Sequence, residues 1–315
     1  MSTKIIPAEI RPYKKKKIKI SLFDVINTII LILFSLIVLY PFYQCVIISF
    51  SDGTDITMNG MVYLWPRKWS IDSFTYMIDN DEFIRAAVNS VVRTVAGALI
   101  AVVTTSGYAY ALSHNELKLR KLYTALGLIT MYFGGGLIPT FLVIRSVGLF
   151  DNFLVYILPT AFSMFNAMVF LANFRGVPKE LEESATIDGS NELVYYFRIL
   201  VPISMPVFAC VLLFDAVAQW NAYYDCMIYT QNDNLIVLAH VFAKMLLTAQ
   251  YIEQRVADAA IAGASAEELM AMRGSVSSLT TQMAGMVLTV APIMCIYPFL
   301  QKYFIKGIMV GSLKG

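Results

Sequence analysis

The sequence predicts an all-α, polytopic membrane protein with about six transmembrane helices, and three observations predict it. Of 315 residues, 58% are hydrophobic and only 15% are charged, whereas a soluble domain carries about a quarter charged residues. Six separate stretches are long and apolar enough to cross a bilayer, which takes about 20 residues. Lys and Arg are divided unevenly between alternate connecting segments, the bias that orients membrane helices.

Taken in order, residues 1–21 form a basic tail whose run Lys14–Lys17 suits a topology anchor at an anionic inner leaflet. The first span, about 24–49, is too long for a signal-peptide core and lacks a small-residue cleavage site, so it reads as a retained anchor. With its outer loop it makes a segment 22–82. A membrane domain 83–304 follows, with spans near 84–112, 122–144, 153–174, 205–229 and 283–304, and 305–315 is a C-terminal tail. The second span contains Arg93, and the fifth contains Asp215 and Asp225. Gly97 and Gly107 in the second span read as sites of close helix packing. Gly134, Gly135 and Gly136 in the third read as a packing or hinge site. Segments 1–21, 114–121, 175–204 and 302–315 hold 16 of the 24 basic residues, while the longer alternate set 51–85, 145–152 and 231–282 holds 7. The first set is therefore expected inside, with both termini cytoplasmic. Trp65, Pro66 and Trp69 look like interfacial residues of the first outer loop. The last outer loop, 231–282, is expected to hold one or two short helices outside the membrane, over Leu238–Leu247 and Ala257–Met272. They would serve as scaffold or as a docking surface.

Several function classes fall away. The net charge of +2 gives no global basic character, so no nucleic-acid partner is expected. Cys45, Cys210, Cys226 and Cys295 lie in or beside apolar stretches without a CxxC pair, and read as buried inert thiols rather than a metal or redox site. His114 and His240 fall on opposite sides of the membrane in this map and cannot share a site. No HExxH, GxSxG or GxxxxGK[ST] motif occurs, so the chain has no motif for hydrolysing ATP itself. A membrane-embedded hydrolase built on Asp215 and Asp225 fails on distance, because ten helical residues separate them by about 15 Å.

The inner loop 178–202 carries the most chemistry. Pro178 suits a helix start, and Glu180, Glu182 and Glu183 in the first turns complement the helix dipole. Gly189 permits a close turn. A second amphipathic stretch, Glu192–Leu200, is expected to end at Pro202. Leu181, Ala185 and Ile187 at helical spacing suggest a short helix that docks into another protein's groove. The alternative is a helix lying on the membrane surface, but its acidic start would be repelled by anionic lipid.

This segment resembles the EAA loop of binding-protein-dependent ABC importer permeases, whose pattern is E-A-A, three residues, G, nine residues, I-x-L-P. Here Glu183-Ser184-Ala185 precede Gly189 by three residues, and Ile199-Leu200-Val201-Pro202 follow nine later. Ser184 and Val201 depart from the pattern by small changes. The resemblance implies the type I ABC importer permease fold. It also implies a coupling contact with a separate ATPase through Glu182, Glu183, Ser184, Ala185, Asp188, Gly189 and Pro202. Asn89-Ser90, Pro139-Thr140, Leu158-Pro159, Trp220-Asn221 and the ending Phe304–Gly315 resemble the carbohydrate-uptake, maltose-permease-like branch. Phe133–Pro139 and Lys306–Gly315 are similar to its subgroup for complex oligosaccharides, named after lipoprotein-linked permeases. The implied partners are an ABC ATPase dimer holding ATP and Mg, a second homologous permease, an extracellular sugar-binding lipoprotein and membrane lipid. The chain itself would hold no cofactor and no metal. The implied location is a bacterial cell membrane, and the implied cargo is carbohydrate, as oligosaccharide.

Polar groups in a membrane helix face the bundle or a water cavity. Asp215, Gln219, Trp220, Asn221, Tyr223 and Tyr224 in the fifth span offer the amides, carboxylates and aromatic faces that sugars need, with Asp215, Gln219 and Tyr223 on one face. The same groups could instead be interhelical glue, for example Arg93 pairing with Asp215. Another ABC substrate class or an ion-coupled secondary transporter remains the alternative function, the latter leaving loop 178–202 without a purpose.

Overall fold

The computed structural model describes residues 21–62, 64–263, 265, 269 and 278–312. The anchor run Lys14–Lys17 and most of 264–277, including part of Ala257–Met272, lie outside the described residues. The chain forms two units, Met1–Gln44 and Cys45–Gly315.

Helix α1 (Leu22–Ser49) opens on a reciprocal cap, with Ser21 N–H donating to Asp24 Oδ2 at 2.9 Å and Asp24 N–H to Ser21 Oγ at 3.3 Å. Every residue from 21 to 43 is exposed, although the helix is strongly apolar. A helix that is apolar all round belongs in lipid or inside a larger assembly. Two short helices follow, α2 (Gly53–Asn59) and α3 (Asp72–Ile78). Their loop is closed by an isolated antiparallel bridge between Ser51 and Trp69, and by Lys68–Asp52 and Arg67–Asp55 contacts of 2.8 Å each.

Helix α4 (Asp81–Ser113) is the spine. Asn80 caps it, accepting from Glu82 N–H at 2.8 Å, and no proline interrupts its 33 residues. At 1.5 Å per residue it is about 50 Å long. Helices α5 (Arg120–Tyr132) and α6 (Leu137–Ser146) meet at 117° across Phe133–Gly136. Gly136 has φ +82°, and a Cβ on Gly134 or Gly136 would meet nothing within 4 Å. Among the described residues nothing packs against Gly134 or Gly136, and the three glycines lie at the break between α5 and α6. Two 3-10 turns, Phe153–Tyr156 and Leu158–Thr160, then lead at 47° into α7 (Met164–Phe174).

Helix α8 (Glu180–Ile187) is followed by α9 (Glu192–Tyr195), a π-helical stretch Tyr196–Leu200 and α10 (Val201–Ile203). After an 83° bend at Ser204 comes α11 (Met205–Asn221). The expected stop at Pro202 is thus displaced. The π turn widens the helix, so a proline lacking an N–H is passed, and the chain bends two residues later. Helix α12 (Tyr224–Tyr229) follows a break at Ala222–Tyr223. Among the described residues of segment 231–282, the expected Leu238–Leu247 helix extends to 24 residues as α13 (Leu238–Ile261) and takes in the start of Ala257–Met272. Neither glycine nor proline interrupts it, and it ends at Gly263, φ +86°. Helix α14 (Ser278–Ser312) begins before and continues past the expected 283–304 span, with Pro292 and Pro298 inside.

Among the described residues, three helices are long and apolar enough to span a membrane alone, and six spans result if each bent pair is one. The first four and the last fall where the sequence places them. The fifth pairs α11 with the segment before it, Glu192–Ile203, instead of with α12. Core packing lies where α4, α7, α11 and the 185–200 segment meet, around Ala109, Leu112, Phe170, Leu200 and Val211. Gly97 meets the packing expectation, since its Cβ would fall 2.6 Å from Gln219 Nε2. A Cβ on Gly107 would meet nothing within 4 Å among the described residues, so that expectation fails. The cysteines are not uniformly buried either: Cys226 is, Cys45 and Cys210 are half-buried, and Cys295 is exposed. All four are free thiols on apolar helices, where an exposed side chain faces lipid or a neighbour.

Candidate coupling site and membrane-depth clamp

Helix α8 ends in a Schellman motif. Gly189 (φ +81°) donates to Thr186 O at 3.0 Å and Ser190 donates to Ala185 O at 2.9 Å, which closes the helix and turns the chain into α9. Asn191 caps α9, accepting from Val194 N–H at 2.8 Å. The two helices therefore form a short, capped hairpin. Glu183, Ser184, Asp188, Gly189 and Pro202 are exposed, and Glu182 is half-buried. Ala185 is buried among Tyr195, Leu200 and Leu112, so this small residue faces its own chain and not outward. Ile187, just before the turn, is 86% exposed, and Leu193 on α9 is 68% exposed. In the sequence Ile187 stands out only as part of an apolar pattern, and the polar motif beside it does not mark it as a contact residue.

Behind α8 lies a cavity of about 620 Å³, lined by Tyr110, Glu116, Phe174, Arg175 and Tyr195 among others. One contact crosses it: Glu182 Oε1 sits 2.9 Å from Nε2 of His114, the residue that follows α4. His114 Nδ1 is 3.0 Å from Tyr110 O. The C-terminal end of α4 also holds the hairpin through Ser106 Oγ, 2.7 Å from Tyr196 OH, and through Tyr110, whose ring is tilted against that of Tyr196 with centres 5.0 Å apart.

The second constellation centres on Arg93, which is 1% exposed. Its guanidinium grips Asp225 with both terminal nitrogens, donates from Nε to Gln219 Oε1 at 2.9 Å and from Nη1 to Ala222 O at 3.0 Å, and stacks 4.6 Å from the centre of the Tyr156 ring. Gln219 Nε2 completes the set by donating to Tyr156 O at 3.2 Å and Thr160 Oγ1 at 2.7 Å. The α11–α12 break at Ala222 is thus held from three sides. A buried guanidinium at membrane depth is tolerable when its donors are matched in this way.

The expected pairing of Arg93 with Asp215 is corrected to Arg93 with Asp225. Asp215 instead accepts from Asn166 Nδ2 of α7 at 2.8 Å, and its Oδ2 is buried without a partner. Asp215 and Gln219 lie on one face of α11, four residues apart, but Tyr223 does not share it, because it lies beyond the break at Ala222. Trp220 is buried, its indole N–H donating to Thr289 O at 2.9 Å. Asn221 donates to Val217 O at 2.9 Å with its side chain exposed, and Tyr223 and Tyr224 are exposed. The roles of Tyr156, Thr160 and Asp225 were missed in the sequence. The signal was a lone arginine in an apolar span, which demands partners but does not say which. The Asn89-Ser90 pair also has a place: Asn89 Nδ2 donates to Asn234 O at 2.7 Å and Ile236 O at 2.9 Å, and Ser90 Oγ accepts from Leu238 N–H at 2.8 Å. It pins the outer loop to α4. Among the described residues, no group of His, Cys, Asp and Glu could hold a metal ion.

A helical membrane bundle with a capped hairpin projecting between two spans defines a transport permease. The chain is 32% identical to the polygalacturonan/rhamnogalacturonan transport system permease protein YtcP of Bacillus subtilis, over 93% of this chain and 99% of that one. It is 32% identical to protein LplC of the same organism, over 93% and 95%. A crystal structure of a bacterial ABC transporter that imports the acidic polysaccharide alginate matches with a TM-score of 0.75 at 28% identity, over 90% of this chain and 96% of that one. A second alginate transporter, in complex with a pentasaccharide-bound periplasmic protein, matches in fold with a TM-score of 0.53 at 14% identity, over 89% and 92%. No family model matches the chain. The chain belongs to the family of bacterial ABC importer permeases of the sugar-uptake branch, multi-pass proteins of the cell membrane.

Proposed function

We propose that this permease passes an oligosaccharide into the cell while α8 docks into a cleft of a separate ABC ATPase dimer, which binds ATP and Mg; the permease itself binds neither. The observation that carries the docking is Ile187: an isoleucine 86% exposed at the tip of a rigid, capped helix. Burying such a side chain fully contributes roughly 1.5–3 kcal/mol, and a groove in a partner is where it would be buried. Glu183, Ser184, Asp188 and Gly189 flank it as the exposed rim of the contact, while Ala185 and Pro202 act from within by fixing the hairpin on its base. Hairpin 178–202, the basic tail 1–21 and the C-terminal residues lie on the cytoplasmic side in this reading, and segment 231–282 lies outside.

Further partners are a second permease of similar fold and an extracellular sugar-binding lipoprotein. The oligosaccharide cargo rests on the relatives, which are named for polygalacturonan/rhamnogalacturonan, for arabinooligosaccharides and for melibiose, raffinose and stachyose. Asp215, Asn221, Tyr223 and Tyr224 line the pathway, offering acceptors, an amide and stacking faces. Gln219 and Trp220 support that wall from behind.

Affinity purification from gently solubilised membranes tests the docking. The native chain should bring down an ABC ATPase and a second permease. Ile187→Asp should lose the ATPase and keep the second permease, with its thermal midpoint unchanged. Retention of the ATPase by Ile187→Asp would place the coupling contact elsewhere.

A further inference from the structure

Resting on the reading of α8 as the ATPase-docking helix, we propose that α4 is the transmission rod of this permease, with His114 as the positioning residue that receives the motion of α8 and Arg93 as the residue that delivers it to the α11–α12 break. Three observations carry this.

First, α8 meets the bundle core through Ala185, and beside that contact an open cavity of about 620 Å³ lies between α8 and the ends of α4 and α7, bridged by the Glu182–His114 contact. Part of a push on α8 would otherwise be absorbed by collapse of that cavity. The contact acts as a strut, joining the middle of α8 to the residue at the end of α4. The hairpin's second arm is fastened to the same helix by Ser106–Tyr196 and Tyr110–Tyr196.

Second, α4 is suited to carry displacement. It has no proline and no break over 33 residues, and close-packed helices transmit strain rather than absorb it. From His114 to Arg93 is 21 residues, about 31 Å at 1.5 Å per residue.

Third, Arg93 holds the far end. Its contacts include the Ala222 carbonyl at the break and the Asp225 carboxylate just beyond it. An arginine fork bound bidentately resists rotation and sliding, so α12 must follow α4. The alternative route is covalent, through α9, the π turn and the bend at Ser204 into α11. That route bypasses His114.

The two routes are separable by labelling α12. Met227 on α12 is 53% exposed. In a background with the four native cysteines replaced by alanine, the rate of maleimide labelling at Met227→Cys is measured in the purified complex, with and without ATP plus vanadate. The intact complex should change its labelling rate by about fivefold, the lower end of typical coupling between sites. His114→Ala should abolish that change while the ATPase stays bound and still hydrolyses ATP. His114→Gln, which can still donate to Glu182, should restore most of it. A merely structural role would show as lost complex and not as lost response. An undiminished response in His114→Ala overturns the proposal and assigns transmission to the Ser204 bend. Failure of the docking reading gives a different signature: the ATPase would be retained by Ile187→Asp.

Discussion

The middle of α4 and its C-terminal end are built on opposite plans. Around Arg93 each guanidinium nitrogen has an acceptor, the ring of Tyr156 covers the guanidinium, and Gly97 is a glycine because Gln219 occupies the space a Cβ would take. Around His114 there is a cavity, a single strut and a hairpin that leaves Ile187 and Leu193 in the open. The difference teaches where each region finds its partners. The clamp is complete within one chain, and the hairpin is half of an interface.

The comparison is broken most directly at the clamp. Arg93→Ala leaves Asp225 as an unpaired, largely buried carboxylate, and breaking such a pair costs about 3–5 kcal/mol. The variant should accumulate poorly in membranes, with a large fall in thermal midpoint measured by a detergent-solubilised thermal shift. An unaltered midpoint would mean that the break holds itself. A smaller perturbation sharpens the same point. Gly97→Ala should cost about 1–3 kcal/mol as an overpacking change, because its Cβ must displace the Gln219 amide. Gly107→Ala on the same helix meets open space and should be neutral or slightly stabilising. Equal effects of the two substitutions would remove the clamp's claim to tight packing.

At the hairpin the expected effect is smaller and purely local. Gly189 sits at φ +81° with nothing within 4 Å of a built Cβ. Gly189→Ala therefore adds backbone strain alone, about 1–2 kcal/mol for a left-handed residue. It should fray α8, seen as faster hydrogen exchange at Asp188 and Ser190, and leave exchange in α11 unchanged.

The sequence was legible where a rule is local. Candidate span positions followed from apolar length, and the α8 stop from Gly189 at the right distance after an acidic first turn. It was not legible where geometry is three-dimensional. Arg93 has Asp215 and Asp225 on the same partner segment, ten residues apart, and only the break at Ala222 brings the second within reach. The same break removes Tyr223 from the face of Asp215. Ala185 reads as an outward contact because the motif carrying it is a docking motif, yet helical phase turns it into the core while Ile187 points away. The π turn before Pro202 has no sequence rule, so a proline taken for a stop was passed.

The smallest expected effect lies on the first outer loop. Asp52 caps α2 by accepting from Asp55 N–H at 2.9 Å and meets Lys68 Nζ at 2.8 Å. The hydrogen bond from the Lys68 ammonium, with the Asp55 N–H, holds the Asp52 carboxyl below its ordinary value of 3.8. Because the folded value is the lower one, this contribution is fully present above about pH 3.8 and is lost as pH falls through the folded value. The pair lies in water, so its effect is small and screened by salt. Trp65 and Trp69, edge to face at 5.4 Å beside this staple, report on it. Their emission should stay constant from about pH 8 to about pH 5, where carboxylates are ionised, and shift only in stronger acid. Asp52→Asn, which can still cap α2 but cannot pair with Lys68, should remove most of the acid shift. A shift centred near neutrality would mean that the Asp52 carboxylate does not cause it.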